Sequence, residues 1–195
     1  MSHLTRVGFA LTGSFCTHQR VLMVLQELAG QYDLTPILST AASKTDTRFG
    51  TAFDLRKQLF NICGKPVLDT IVDTEPIGPM AMFDVLVVAP CTSNTLAKLA
   101  HGVTDDAVPM AVKSHLRGDR PVVIGISTND ALSGSASNLG TLLNRRNYYF
   151  VPMRQDAPLV KPRSLVAEME LIPQTIEQAL AGKQLQPLLL APNAR

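Results

Sequence analysis

Two short segments combine small, hydroxyl and amide side chains with the predicted start of a helix. Residues 12–17 read Thr-Gly-Ser-Phe-Cys-Thr, and residues 90–95 read Pro-Cys-Thr-Ser-Asn-Thr. The first amide groups of a helix lack intrahelical partners and attract anions, and a nearby hydroxyl adds a donor. Both segments could therefore bind a phosphate group. Each could instead be an ordinary turn in which one side chain caps the helix.

The kind of nucleotide that such a site could hold is restricted by the glycine pattern. The first segment contains Gly13 alone and lacks the Gly-x-Gly-x-x-Gly spacing that dinucleotide-binding proteins use around a pyrophosphate. A mononucleotide fits this segment better. Two further polar segments, 39–40 and 127–130, follow other predicted strands and are expected at the same edge of the sheet.

The elements that would position these segments alternate between strands and helices. Apolar, β-branched runs predict strands near 7–12, 34–38, 84–90, 121–126 and 148–151. Apolar residues at helical spacing predict helices over 19–29, 53–60, 95–100, 138–147 and 164–181, the last capped by Ser164. Segments 63–82 and 153–163 are predicted loops.

This alternation predicts an α/β fold of three layers with a doubly wound parallel sheet, Rossmann-like and of the flavodoxin-type strand order. Residues 1–195 are expected to form a single domain with 183–195 as a C-terminal tail. The apolar stretch 187–192 is expected to lie against this protein or a neighbouring subunit.

Composition excludes several classes of function. Hydrophobic residues make up 46% and charged residues 17% of the chain, and the net charge of +2 is too small to predict nucleic-acid binding. No apolar run is long enough to cross a membrane, and the start of the chain does not resemble a signal peptide. Three cysteines without paired spacing predict a cytoplasmic protein without disulfides, and four scattered histidines predict no metal site.

Residues 94–106, Asn-Thr-Leu-Ala-Lys-Leu-Ala-His-Gly-Val-Thr-Asp-Asp, resemble a signature of the flavin-containing cysteine decarboxylases of the flavoprotein family. Their phosphopantothenoylcysteine decarboxylase branch is the most similar in that stretch. The resemblance implies a homo-oligomer, a trimer or a larger assembly. It also implies an FMN site formed by Gly13, Ser14, Phe15, Ser39, Thr92, Ser93, Asn94 and Thr95.

Other motifs, at 8–14, 47–50, 75–79 and 125–132, resemble a second branch of that family. These are the B subunits of two-component synthases that make dipicolinic acid during sporulation. The resemblance implies oxidation of a dihydrodipicolinate-type precursor, a small dicarboxylic substrate and an A subunit that binds NADP. Arg48 and Asn129 are the candidate substrate contacts, although Arg48 could equally be a solvated cation.

Two departures from the decarboxylases affect the expected chemistry. Their His after the second strand is absent from residues 41–48, and their Pro-x-Met-Asn motif is replaced at 127–130 by Ser-Thr-Asn-Asp. A decarboxylase of cysteinyl substrates therefore remains the alternative hypothesis. A non-catalytic scaffold subunit is a third.

Other polar residues fit structural roles better than catalytic ones. Asp105 and Asp106 are expected in a solvated loop or as the cap of the next helix, rather than at a metal or acid–base site. Cys16 and Cys91 lie on the two candidate loops, where a helix start could lower a thiol pKa, but buried small side chains are the preferred interpretation. His18 is expected to cap its helix or to lie near the ligand.

Overall fold

The predicted apolar runs form the central strands of the sheet. In the computed structural model, which describes residues 4–191, five strands pair in parallel in the order β2-β1-β3-β4-β5. This is the flavodoxin-type order expected from the sequence. The strands are β1 Arg6–Leu11, β2 Asp33–Leu38, β3 Val85–Cys91, β4 Val122–Thr128 and β5 Tyr148–Phe150.

Helices follow the strands on both faces of the sheet. They are α1 His18–Leu28, α2 Thr40–Lys44, α3 Ala52–Cys63, α4 Ile71–Thr74, α5 Ser93–His101, α6 Ala107–Leu116, α7 Ala136–Leu143 and α8 Ile172–Leu180, with short 3-10 helices at Phe15–Thr17, Glu75–Ile77 and Met169–Leu171. Helices α3 and α5 end at Gly64 and Gly102, whose positive φ angles of 66° and 71° form left-handed C-caps. Within 4–191 none of the helices has both the length and the apolar character needed to cross a lipid bilayer.

Two separate cores lie on the two faces of the sheet. Along β3 the side chains alternate, so Val85 and Val87 join one core while Leu86 and Val88 join the other. Helices α1, α3 and α8 cover the first face, and α5, α6 and α7 cover the second. A near-continuous apolar strand is therefore buried on both sides, as expected for a parallel sheet.

The prediction of one helix over 164–181 is wrong. Its first part is strand β7, Leu165–Ala167, which pairs antiparallel with β6, Met153–Arg154, and with the end of β4. Ser164 is not a helix cap, because its hydroxyl donates to the carbonyl oxygen of Thr128 at 3.2 Å. The helix starts only at Ile172, where Pro173 occupies the first turn, a position that suits proline. All pairing was expected to be parallel, so the antiparallel ribbon of β6 and β7 corrects that expectation as well.

Two other segments differ from their predictions. The predicted loop at 63–82 contains α4 and a 3-10 helix, with a capping box formed by Thr70 and Asp73. Helix α6 was not predicted, although Asp106 caps it. The apolar tail lies against this chain through backbone hydrogen bonds of Met153 with Leu188 and Leu190, both 2.9 Å. Residues 192–195 of the predicted tail lie outside the described residues.

Candidate functional site

The two polar loops meet where the strand order reverses. The chain passes from β1 to β2 on one side and returns to β3 on the other, so the loops after β1 and β3 flank the reversal point, where open α/β sheets bind ligands. Buried Thr12 ties the loops together. Its hydroxyl donates to the Pro90 carbonyl oxygen at 2.7 Å and accepts from the Thr92 amide at 3.1 Å.

The first loop is held by hydroxyl contacts to a third strand rather than by helix capping. Ser14 Oγ lies 2.8 Å from Ser127 Oγ, and Thr17 Oγ1 lies 2.9 Å from the same atom. Neither Ser14 nor Thr17 makes a side-chain cap. The helix cap that the sequence offered for this loop is therefore absent. Hydroxyl contacts hold the first loop against the end of β4 instead.

His18 also supports the first loop. Its Nε2 donates to the Thr12 carbonyl oxygen at 2.7 Å, and its ring packs against Phe15 with 5.3 Å between centroids. Burial lowers the pKa of His18, which favours the neutral ring. His18 therefore acts as a neutral support for the loop.

The second loop begins with a true helix cap. The Thr92 hydroxyl accepts from the Thr95 amide at 3.3 Å at the start of α5, so one of its polar side chains serves the capping role considered from the sequence. Asn94 is exposed, whereas Thr95 is buried. The Asn94 amide group is therefore available to a ligand.

A recess of about 220 Å³ lies between the two loops. It brings together six of the eight residues predicted to bind a cofactor: Gly13, Phe15, Ser39, Thr92, Asn94 and Thr95. Ser14 faces a neighbouring cavity, and Ser93 lines neither. The Ser39 hydroxyl accepts from the Ala42 amide at 3.2 Å and so also caps α2.

Two charged residues line the recess, Lys98 and Asp106, and of these Lys98 was not expected from the sequence. Lys98 lies one helical turn after Asn94 and Thr95, and this spacing on a helix is the signal that could have identified it. Its ammonium group pairs with Asp105 at 2.8 Å, and a hydrogen bond from Lys98 lowers the pKa of that carboxyl group. Asp106 accepts from the amides of Val108 and Thr40, as expected of a helix cap.

Of the two candidate substrate contacts, Asn129 lines a cavity and Arg48 lies on an exposed turn. Asn129 lines a cavity of about 280 Å³ beside Ser14 and Ser127. Arg48 stacks on the ring of Phe49, 4.8 Å from its centroid, and Phe49 lines another cavity of about 100 Å³. One subunit does not bring the two residues together in one cavity.

The cations of the 280 Å³ cavity already have acidic partners. Arg20 contacts Glu168 and Glu170, and Lys161 pairs with Asp156 at 3.1 Å. These carboxylates neutralise the positive charge of Arg20 and Lys161, which would otherwise attract an anionic substrate. A substrate there would meet mainly the hydroxyl and amide groups.

The remaining chemical candidates have structural roles. Cys91 is buried, which raises the pKa of its thiol to about 12 and makes it a small apolar side chain. Cys16 is exposed instead, contrary to the preferred interpretation of that residue. Among residues 4–191 no group of three or more His, Cys, Asp or Glu side chains could hold a metal ion.

The geometry agrees with a known family. Residues 1–151 match the model of the family described as Flavoprotein, which is most of the chain. The chain belongs to the Flavoprotein family. The resemblance read from residues 94–106 is thus confirmed at the level of the family.

Among Flavoprotein relatives, the B subunit of dipicolinate synthase from Bacillus subtilis is 45% identical over 186 residues, which is 95% of this chain and 93% of the relative. The crystal structure of the dipicolinate synthase B subunit from Bacillus halodurans is 42% identical, with a TM-score of 0.89 over 99% of this chain and 100% of the other. The FMN-dependent cysteine decarboxylase SpaF is 21% identical, with a TM-score of 0.69 over 91% and 95% of the two chains. This last similarity shows the shared fold.

Proposed function

We propose that the chain is the B subunit of a two-subunit dipicolinate synthase. The proposal rests on the similarity to the Bacillus subtilis protein, which extends over nearly the full length of both chains. The substrate is a small dicarboxylic precursor of the dihydrodipicolinate type, and the product is dipicolinic acid for spores. Three unpaired cysteines are consistent with a cytoplasmic location.

The reaction is an oxidation shared between two subunits. Aromatisation of the dihydro ring removes two electrons and two protons; a hydride equivalent passes to NADP⁺, and one proton passes to solvent. Gly13 is the single glycine of the first loop, so the NADP-binding site belongs to the A subunit.

FMN is the cofactor proposed for the recess between the two loops. The chemistry of the lining fits a phosphate and a ribityl chain, because Asn94, Lys98 and the hydroxyl groups of Ser39 and Thr95 supply donors. When bound, FMN supplies a two-electron carrier. Gly13, Ser14, Phe15, Thr92 and Ser93 complete the proposed set of contacts.

The chain's own residues hold and orient the reactants. Thr12 and His18 fix the positions of the two loops. The Ser127 hydroxyl holds the end of β4 against the first loop. Asn129 is the proposed substrate contact in the adjoining cavity. Arg48 lies on an exposed turn outside that cavity. It is proposed to bind a substrate carboxylate at a position that Asn129 does not share.

The cofactor proposal is tested by visible absorption and FMN titration of the purified chain. Asn94→Ala and Lys98→Ala should each weaken FMN binding by about ten-fold, because each removes one donor. Asn61→Ala and Lys57→Ala, at exposed positions of α3, are the matched controls. Unchanged FMN affinity in both recess variants would contradict the proposed site.

The enzymatic proposal is tested by measuring dipicolinate formation and NADPH together. Both should appear only when this chain is mixed with the A subunit and a dihydrodipicolinate precursor, and Asn129→Ala should lower the rate. Equal activity of the A subunit alone would rule out a role for this chain. Full activity without bound flavin, retained in the Asn94 and Asn129 variants, would instead support a scaffold subunit.

A flavin-dependent decarboxylase of phosphopantothenoylcysteine is the second candidate. The segment 94–106 favours it, and the absence of His from residues 41–48 opposes it. Carbon dioxide release from phosphopantothenoylcysteine separates the two functions. We expect no release above the rate without protein.

Homo-oligomerisation is proposed from the exposed aromatic side chains on and before α3. Phe53 is 73% exposed, and Phe49 and Phe60 are 55% and 52% exposed. Apolar clusters on a surface often mark contacts between subunits. Light scattering should give a trimer or a multiple of it, and Phe53→Ser should lower the subunit number; a monomeric parent chain would contradict this proposal.

A further inference from the structure

A cavity of about 370 Å³ lies between the end of α5, one face of α6 and the start of β5. Pro109, Val112 and Leu116 contribute its wall from α6, at the spacing of a single helix face. Leu99 and half-buried Tyr148 form further parts of the wall. The volume lies within the range of small-molecule sites, and it exceeds that of the recess between the loops.

This cavity is distinct from the proposed flavin site. The two share Lys98 and Pro109, but the remaining walls come from different elements. The flavin recess contains the loops after β1 and β3, whereas this cavity contains the end of α6 and the start of β5. A ligand could therefore bind in one without contacting the polar loops of the other.

The charged side chains around the cavity are all basic. They are Lys98, Lys113, Arg117 and Arg145. Lys98 is paired with Asp105, and Arg145 donates to the carbonyl oxygens of Leu99 and Ala100 at 3.1 and 2.7 Å.

The remaining two cations, Lys113 and Arg117, are exposed and have no ion-pair partner within residues 4–191. Cations at the end of a helix are favoured by its dipole, and this explains Lys113 in the last turn of α6 and Arg117 directly after it. The dipole does not explain why these two cations border an apolar cavity.

The wall of the cavity is apolar. Leu99 and Val112 are 5% and 1% exposed, while Val103 at the mouth is 43% exposed. An apolar wall with cations at its edge is complementary to a flat organic body that bears an anionic group.

We propose that this cavity binds a small aromatic anion, with its ring against the wall formed by α6 and its carboxylate or sulfonate group beside Lys113 and Arg117. Arg117 can pair with such a group bidentately, while Lys113 acts as a point charge. The proposal is independent of the flavin site and of the oxidoreductase function.

The test uses two fluorescent probes of similar shape. Anilinonaphthalene sulfonate carries one negative charge, and N-phenyl-1-naphthylamine carries none. The double variant Lys113→Glu, Arg117→Glu should raise the Kd of the sulfonate at least about ten-fold and leave the Kd of the neutral probe within about two-fold. Val103→Trp, which fills the mouth, should weaken binding of both probes.

Lys183→Glu is the matched control, because Lys183 is exposed and follows α8, which covers the opposite face of the sheet. It should leave both affinities unchanged. The proposal is overturned if the double variant binds the sulfonate as tightly as the parent chain, or if Lys183→Glu weakens binding equally. Equal loss of both probes in the double variant would also overturn it, since charge would then not select the ligand.

Discussion

The parallel sheet and the antiparallel ribbon of β6 and β7 differ in strand length and in the charges beside them. Every residue of β3 is buried, and the five parallel strands lie between two apolar cores. The ribbon has strands of two and three residues and is accompanied by charges: Glu168 contacts Arg20 and lies 2.8 Å from Arg154. Met153, Leu165 and Ala167 of the ribbon are buried as well. Apolar burial therefore stabilises both regions, and ion pairs of partly exposed side chains add to it beside the ribbon.

The largest expected effect tests apolar burial in the sheet. Phe9 on β1 is fully buried, so Phe9→Ala should lower the free energy of unfolding by about 4 kcal/mol through lost contacts and a residual cavity. Leu159→Ala removes an apolar side chain at a 79% exposed position and should cost below about 0.5 kcal/mol. Urea unfolding of both variants measures the difference, and equal losses would refute the stated role of burial.

A buried histidine lies on α6, one of the helices that cover the parallel sheet. His115 Nε2 donates to the Pro121 carbonyl oxygen at 3.1 Å, and burial lowers the pKa of His115 to about 4. The unfolded chain binds a proton near pH 6.5, and the folded chain does so only near pH 4. The contribution of neutral His115 to the free energy of unfolding is therefore fully present above pH 6.5. It should fall by roughly 3 kcal/mol as the pH drops toward 4.

His115→Gln retains a donor for Pro121 but does not titrate. The loss of stability between pH 6.5 and 4 should therefore be smaller in this variant than in the parent chain. Parallel unfolding curves at several pH values measure this difference. Identical pH dependence in both chains would show that His115 is not responsible.

A smaller effect is expected for the charges beside the ribbon. Glu168→Gln removes a carboxylate that contacts two arginines and should destabilise the protein by about 1–2 kcal/mol. Glu170→Gln affects Arg20 alone, at a more exposed position, and should cost below about 1 kcal/mol. Thermal unfolding of the two variants is measured at low and high salt. The loss of stability in Glu168→Gln should shrink at high salt, because salt screens the charges. Salt-independent losses would point to packing instead.

The smallest effect concerns the residue whose predicted role was wrong. Ser164→Ala removes the hydrogen bond to the Thr128 carbonyl oxygen and should cost about 1 kcal/mol. Helix content by circular dichroism should not change, since Ser164 precedes β7. A loss of helical signal would restore the capping role that the sequence suggested.

The sequence predicts the parallel region well because its signals are local. Long apolar runs bounded by polar residues fix β1, β3 and β4, and helical spacing fixes α1 and α5. Strand β7 has only three residues, and its pairing with the end of β4 is a tertiary contact that no local pattern reveals. Pro173 was the available signal that the helix begins later.

The positions of the candidate loops could be predicted, but many of their contacts could not. Loops after neighbouring parallel strands meet at one edge, so Gly13 and Asn94 were expected near each other. The contacts of Ser14 with Ser127 and of Lys98 with Asp105 depend on side-chain directions across loops. For the same reason the sequence could not show that Arg48 lies outside the cavity that Asn129 lines.

The ribbon borders β4 through a short pairing at the end of that strand. Strand β4 pairs with β5 over Val122 to Ile124 and with β7 only at Ser127 and Thr128. The Flavoprotein match ends at residue 151, before the ribbon begins. Lengthening or replacing the ribbon would leave the register of the five parallel strands intact. The cavity wall that contains Asp156 and Val166 can thus be redesigned without rebuilding the sheet that carries the two polar loops.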